Sequence, residues 1–409
     1  MKILYVVGAC LTKNTSANMS HNGFLKGLIE NGADVDVLMA NSSWGEEDKA
    51  LPKWKEAQYY EYNAISFADK LKANYKKNEV TRKDTSAEDV KIENKKDKCS
   101  IKSISRMIIK KSFYLIFPQE PVYPLEKTWL KEATKFTSQD IYDVVISNSS
   151  PAASHKMVDI LLKSKKISAK RWIQIWEDPW FFDLYGGHNA NIQEEEHNLL
   201  KDAQEVYYVS PLTLMYQKKY YPDCAEKMDC IPLPFLKIET NIKKETFFEK
   251  NSFGYFGDYY SKTRNLIPFY EALKEEGYKG NIYGDSDLQL VGTENVRVVG
   301  RVTLDVLAGI QAKTQVLVHL CNLSGGQIPG KIYHYSATNK PILFILDGTK
   351  EEQDTIRTFF SKFDRYYFCD NEKEAIKKTM KQIIREQRKF GVVKEFEPKE
   401  VVKHILVKD

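Results

Sequence analysis

The feature that most restricts this chain is an alternation of two periods that is written out twice. "KILYVVG" is a β-branched, apolar run closed by Gly8, followed by the polar stretch "ACLTKNTSANMS". Then "HNGFLKGLIENG" places apolar residues at helical spacing, Gly32 supplies a stop, and "ADVDVLMA" is apolar again. Strand, loop, helix, glycine and strand within residues 1–40 make a βαβ unit. Its strands must run parallel, because only a crossover helix connects them. The pattern continues in "YDVVISNSSP", the helical "AASHKMVDILLKSKK", "RWIQIWEDPW", and "EVYYVS" before "PLTLMYQKKY".

Pro232 and Pro234 interrupt the alternation, and the polar "LKIETNIKKE" that follows reads as a linker. The pattern then restarts. "FGYFGDY", "GNIYGDS", "NVRVVGRV", "TQVLVHLC" and "PILFIL" read as strands; "TRNLIPFYEALKEEGY", "TLDVLAGIQA", "GKIYHYSAT" and "NEKEAIKKTMKQIIREQRKF" read as helices. A chain of 409 residues is too long for one ordinary core. We therefore expect two doubly wound α/β domains, over 1–235 and 236–390, with a tail over 391–409 packing back on the first. Ligands of such sheets sit beyond the carboxyl ends of the strands. The loops after "YVVG", "ISNSS", "IWED", "YFGD" and "IYGD" are expected to face a shared cleft.

Composition excludes several classes. The six cysteines form no Cys-x-x-Cys pair and no histidine stands at ligand spacing, which argues against structural zinc and fits a reducing cytoplasm. No run of eighteen apolar residues is present, and "MKILYVVGACL" reads as a first buried strand rather than a leader. The net charge of +5 is local: Lys76 to Lys111 holds twelve Lys/Arg and six Asp/Glu, or +6, leaving −1 elsewhere. Without a recognised motif this does not point to nucleic acid. Within the basic insertion of about 70–125, residues 95–117 alternate Ile104, Met107 and Ile108 with Arg106, Lys110 and Lys111, before Phe113, Tyr114 and Phe117. Such a segment suits the anionic face of a membrane, from the cytoplasmic side, or a helix packed on its own domain.

The dinucleotide fingerprint, the P-loop and the nucleophile elbow are all missing. What remains favours phosphate. Lys262 and Arg264 follow Gly257, where a helix is expected to begin, and Lys331 opens another helix after "GGQIPG". Glycine allows close backbone approach. Arginine offers a fork to phosphate oxygens, and lysine a point charge. Two cations in one cleft suit a diphosphate.

Taken in order, these stretches resemble the bacterial glycosyltransferases of family 4 (group 1) type, which have the GT-B fold, and in "EDPW" the capsule and O-antigen members. The most specific stretch is "IPGKIYHYSATNKPILFI", similar to the family's Pro/Ser-x-Lys-x-x-Glu-Tyr-x-x-x-x-Lys-Pro pattern. The resemblance implies retaining transfer of a sugar from a nucleoside diphosphate, UDP by family frequency, to a lipid-linked or oligosaccharide acceptor in surface polysaccharide synthesis. No metal and no further cofactor are implied. Arg264 and Lys331 would hold the diphosphate, and Asp178 would orient the acceptor hydroxyl. Gly257, Gly284, Gly300, Arg301 and Val302 would border the nucleotide. Gly325, Gly326 and Gln327 would face the sugar, and Pro329 and Gly330 would shape the turn. Asn14, Ser149 and His155 would line the acceptor side, with Ser147 and Asn148. One departure is visible: Gly326 and His334 stand where many members carry two glutamates seven residues apart. A neutral histidine can still hydrogen-bond a ribose. A nucleotide-sugar 2-epimerase of the same fold and a non-catalytic nucleotide or glycan binder are the competing readings.

Overall fold

A computed structural model describes residues 1–13, 15–41, 51, 53–65, 122–184, 189–236 and 248–407. The basic segment 95–117 and Asn14 lie outside them. The first domain carries β1 (Lys2–Val7), β2 (Asp34–Ala40), β3 (Ala57–Tyr62), β4 (Ile141–Tyr142), β5 (Val144–Asn148), β6 (Ser168–Ala169), β7 (Trp172–Trp176), β8 (Glu205–Tyr208) and β9 (Met228–Cys230). Its helices are α1 (Ser16–Glu30), α2 (Lys127–Ala133), α3 (Ala153–Lys163), α4 (Ala190–Asp202) and α5 (Pro211–Tyr220). Seven strands form one parallel sheet in the order β3-β2-β1-β5-β7-β8-β9, while β4 and β6 pair alone.

The second domain holds β10 (Glu249–Phe256), β11 (Lys279–Tyr283), β12 (Val296–Val299), β13 (Thr314–Leu320), β14 (Ile342–Leu346) and β15 (Tyr366–Asp370). Between and after them come α6 (Ile267–Glu276), α7 (Leu304–Lys313), α8 (Lys331–Ser336), α9 (Lys350–Ser361), α10 (Lys373–Glu386) and α11 (Pro398–Leu406). These six strands run parallel in the order β12-β11-β10-β13-β14-β15. The strand order reverses at β1/β5 in one sheet and at β10/β13 in the other, and each reversal opens a crevice beyond the strand ends.

Strands buried on both faces need continuous apolar runs, and the sequence supplies them: all five residues of β14 are buried, as are Ile3 through Val7. Two apolar layers sandwich each sheet. Helix α1 starts earlier than its apolar pattern predicts. Thr15 caps it by accepting the Asn18 N–H at 3.1 Å, so the turn from Ser16 joins the helix. Helix α6 starts later than expected, at Ile267, so Lys262 and Arg264 belong to the preceding turn.

After α10 the chain returns to the first domain. Val401, Val402 and Ile405 of α11 enter the layer beneath α1, and Arg171 donates to the Ile405 carbonyl at 3.1 Å. Closeness is possible because Gly27 has no side chain: a Cβ there would stand 2.2 Å from the Pro398 oxygen. Gly27→Ala should therefore push α11 off its seat and lower stability by roughly 1–3 kcal/mol. Gly309→Ala, where an added Cβ meets nothing within 4 Å, should stabilise by about 0.5–1 kcal/mol. Urea denaturation of the two variants checks this, and equal effects of one sign would contradict it.

Candidate active site

The crevice of the second sheet is built around Gly257, directly after β10. Its N–H donates to the Tyr283 carbonyl at 2.8 Å, drawing the ends of β10 and β11 together. Gly284 makes this approach feasible. It has φ 152°, and a Cβ would lie 2.0 Å from the Gly257 oxygen. Only glycine fits there.

Two cations bracket this peptide. Lys331, first residue of α8, donates its ammonium to the Phe256 carbonyl. Arg264 donates from Nη1 to the Asp258 carbonyl at 2.7 Å and from Nε to Asn322 Oδ1 at 2.8 Å. Lys331 is open to the cleft yet enclosed by its walls. That enclosure lowers its pKa to about 8; Asp258 opposes the shift, and Arg264 and Arg301 reinforce it. His334, one turn along α8 and also open to the cleft, is lowered to about 4 by enclosure and then by the Lys331 charge. Water reaching both residues tempers these shifts. His334 is therefore neutral near pH 7.

Arg301 takes a different place from Arg264. Its side chain is 68% exposed and pairs with Asp258 and, at 3.1 Å, with Asp285. The Asp258 carboxyl is held below the usual carboxylate range: burial pushes it up, but Arg301 and the Asp285 N–H outweigh burial. Gly300 is exposed beside this pair, whereas Val302 packs half-buried on the apolar layer of the second domain.

The turn Gly325–Gln327 is clamped from several sides. Gly325, at φ 95°, donates to Glu352 Oε1 at 3.2 Å. The Gly326 carbonyl accepts from Ser210 Oγ at 2.9 Å and Thr213 Oγ1 at 2.6 Å, both in the first domain. Gln327 receives the Leu184 N–H at 3.3 Å, and its side-chain nitrogen points to Asp183 at 3.4 Å. Glu352 is buried; it caps α9 through the Thr349 N–H and also accepts from Tyr216 at 2.9 Å. Pro329 and Gly330 close the turn, with Gly330 against Leu233.

Across the cleft, Glu177 and Asp178 follow β7. Asp178 bonds the Gln327 side chain; its pKa is raised to about 6 by desolvation and by Asp183, against that bond. Its residue remains open to solvent on the cleft side, which limits the effect. Glu177 lies 3.3 Å from the His21 ring. Burial raises the carboxyl and lowers His21 to about 4.

The acceptor wall differs from the expectation. His155 is fully buried in α3: Nδ1 bonds Ser147 Oγ at 2.7 Å and the ring lies on Trp176 with centroids 4.1 Å apart. It is a core residue. The α3 spacing places Ser154, His155 and Val158 inward, and the sequence reading assigned that buried face to the cleft. Ser147 and Asn148 are buried in β5, and Ser149 is 4% exposed, its Oγ accepting the Glu177 N–H at 3.3 Å. Ser149 thus positions the Glu177–Asp178 loop from below. The sequence reading overlooked Asp258, Asn322, Glu352 and Asp183. "GDYY" offered a carboxylate after a strand as a signal, but Asn322 and Glu352 carried none. It also overlooked a spatial group, His197, Asp223 and Cys224, whose ligand atoms lie within 4.8 Å. There Asp223 already pairs with His197 at 2.9 Å and Lys201 at 3.5 Å.

Comparison by sequence matches no family model and no curated protein. Comparison by structure finds HepE of Anabaena in complex with UDP, with a TM-score of 0.53 at 11% identity over 99% of this chain and 98% of that one. The UDP-GlcNAc 2-epimerase of Methanocaldococcus jannaschii superposes with a TM-score of 0.50 at 10% identity, over 99% and 98%. The chain has the GT-B fold. Two Rossmann-like domains face one cleft, as the alternation in the sequence predicts. Among the described residues no helix is long and apolar enough to cross a membrane.

The core position of His155 has a direct consequence. His155→Ala should destabilise the protein by roughly 2–4 kcal/mol through cavity formation and loss of the bond to Ser147, whose Oγ would keep only the Trp172 indole N–H at 2.8 Å. Unfolding at unchanged denaturant midpoint, combined with a specific loss of acceptor affinity, would restore the acceptor role.

Proposed function

We propose that this protein is a retaining glycosyltransferase that moves a sugar from a nucleoside diphosphate to a saccharide acceptor. The observation that carries the reading is the convergence of Arg264 and Lys331 on the Phe256–Asp258 backbone, at the point where the second sheet reverses its strand order. Asp258 and Asp285 are both paired with Arg301, which leaves Arg264 and Lys331 facing the cleft without a carboxylate of their own. A dianionic group between the two cations would satisfy them. UDP is the preferred nucleotide, since HepE of this fold was seen with UDP.

In this mechanism the sugar–phosphate bond breaks as an oxocarbenium-like centre develops. Arg264 and Lys331 stabilise charge accumulating on the departing diphosphate, an effect worth roughly 3–4 kcal/mol where donors are preorganised. The departing phosphate takes the acceptor proton. Asp178, reaching into the cleft from the first domain, orients the acceptor hydroxyl. His334 hydrogen-bonds the ribose as a neutral imidazole. The acceptor is a lipid-linked or free oligosaccharide of surface polysaccharide synthesis, and a peripheral seat on the inner membrane face through residues 95–117 would bring the two together. The Glu177–Asp178 pair gives a 2-epimerase its foothold, since that reaction needs acid and base groups beside the sugar.

Calorimetry with UDP, GDP, ADP and CMP tests the donor site. UDP should bind, and Lys331→Ala should weaken it by about tenfold or more. Arg264→Ala should cut turnover by about two orders of magnitude without loss of folding. Binding of none of the four nucleotides would leave only the non-catalytic reading. Conversion of a UDP-sugar to its epimer without acceptor would replace transfer by epimerisation.

The lysine also sets a pH dependence. In the free protein it loses its proton near pH 8, so UDP affinity should fall as pH rises from 7 to 9. Bound diphosphate raises the lysine pKa again, so binding at pH 8.5 should take up a proton. Titrations in buffers of different ionisation enthalpy read that uptake, and Lys331→Ala should abolish it. Affinity flat across this range would remove Lys331 from the phosphate site.

A further inference from the structure

An arginine on a turn must be held if it is to meet a phosphate at a fixed place. Arg264 stands in the turn before α6, and its side chain crosses the crevice to the loop after β13. There Asn322, only 8% exposed, accepts from Nε at 2.8 Å. The other end of the same amide donates from Nδ2 to the Gln327 carbonyl at 3.0 Å. Its orientation is fixed by chemistry, because a guanidinium only donates and a carbonyl only accepts. One planar group therefore ties the cation to the turn that meets the first domain. From Gln327 the connection runs on to the Leu184 N–H at 3.3 Å and to Asp183. Asn322 holds Nε and the Asp258 carbonyl holds Nη1, and the Tyr255 hydroxyl, which donates to the same carbonyl at 3.0 Å, is a further partner of the guanidinium.

We propose that Asn322 is the positioning residue of the donor site, coupling the aim of Arg264 to the seating of Gly325–Gln327 against the first domain. This rests on the reading of Arg264 as a phosphate ligand. Asparagine is suited to the place because a single amide both accepts and donates. Aspartate would accept from Nε but repel the Gln327 carbonyl, and its charge would cancel that of the arginine. Alanine would leave the backbone joined, since the Leu323 N–H still donates to the Thr263 carbonyl at 2.9 Å.

The test is UDP calorimetry on Asn322→Ala, Asn322→Asp, Arg264→Ala and the double variant Arg264→Ala/Asn322→Ala. Arg264→Ala should weaken UDP by roughly 10- to 100-fold, and Asn322→Ala by about 3- to 10-fold. The double variant should match Arg264→Ala alone, because Asn322 acts only through the arginine. Asn322→Asp should bind less well than Asn322→Ala. Losses that multiply in the double variant, or wild-type affinity in Asn322→Ala or Asn322→Asp, would overturn the proposal. If Arg264→Ala binds UDP normally, or UDP does not bind at all, the donor site falls and takes this inference with it. An Arg264-dependent site indifferent to Asn322 sinks the inference alone.

Discussion

Two cations held at one glycine peptide set the terms for the rest of this structure. Like charges repel by about 4 kcal/mol at 4 Å in protein surroundings of intermediate polarity, so Arg264 and Lys331 do not share a crevice without compensation. The Phe256 carbonyl accepts from Lys331, the Asp258 carbonyl accepts from Arg264 and from the Tyr255 hydroxyl at 3.0 Å, and the Asp258 carboxylate supplies a negative charge nearby. That carboxylate is itself shared with Arg301. Enclosure in the cleft walls, reinforced by Arg264 and Arg301 against the pull of Asp258, makes the lysine give up its proton more readily than a free one. The site is stable but incompletely neutralised, which is the electrostatic state that attracts an anion.

The fold needed for this was legible because it rests on periodicity. Apolar runs such as Ile342–Leu346, separated by amphipathic stretches and stopped by glycines, admit parallel sheets and little else. Glycine positions were legible for a similar reason: Gly257 and Gly284 follow strands, where close backbone approach is the ordinary use of the residue. Side-chain direction was another matter. His155 and Arg264 are both polar residues near strand ends, yet one turns into a core beside Trp176 and the other crosses a crevice. Which way a polar residue turns depends on partners distant in sequence, Ser147 for one and Asn322 for the other. Glu352 was invisible for the same cause: as a capping-box glutamate it explains itself locally, while its second oxygen holds Gly325 and Tyr216.

Glu352 also shows how closely the two domains are joined at the cleft. Its carboxylate links α9 of the second domain, the glycine turn, and Tyr216 of α5 in the first. The Gly326 carbonyl is held by Ser210 and Thr213, and the Tyr333 hydroxyl donates to the Val209 carbonyl at 2.8 Å. These contacts bind the turn mostly through its backbone, which leaves the identity of Gly326 free of any charge requirement. A glutamate at that position would set a Cβ 3.3 Å from Thr213 Cα and 3.4 Å from the Tyr216 ring. Glycine at this position therefore goes with a tighter seating of the turn on α5 than a residue with a Cβ would allow. The polar groups around the turn are the Gln327 side chain with Asp178 and Asp183.

The chain passes between the domains twice, before β10 and again after α10, and the two crossings touch: the Phe235 N–H donates to the Phe396 carbonyl at 3.1 Å. The second crossing is also tied to the second domain, where the Val393 N–H donates to the Ser336 carbonyl at 3.0 Å. Beyond it, α11 is locked to α1 by the close approach at Gly27. Paired crossings anchored at both ends resist twisting more than a single strand does. Ser336 ends α8, the helix that Lys331 begins. The residue that holds the second crossing and the lysine of the crevice thus belong to one short helix, so a displacement of Ser336 is carried to the charge at the other end.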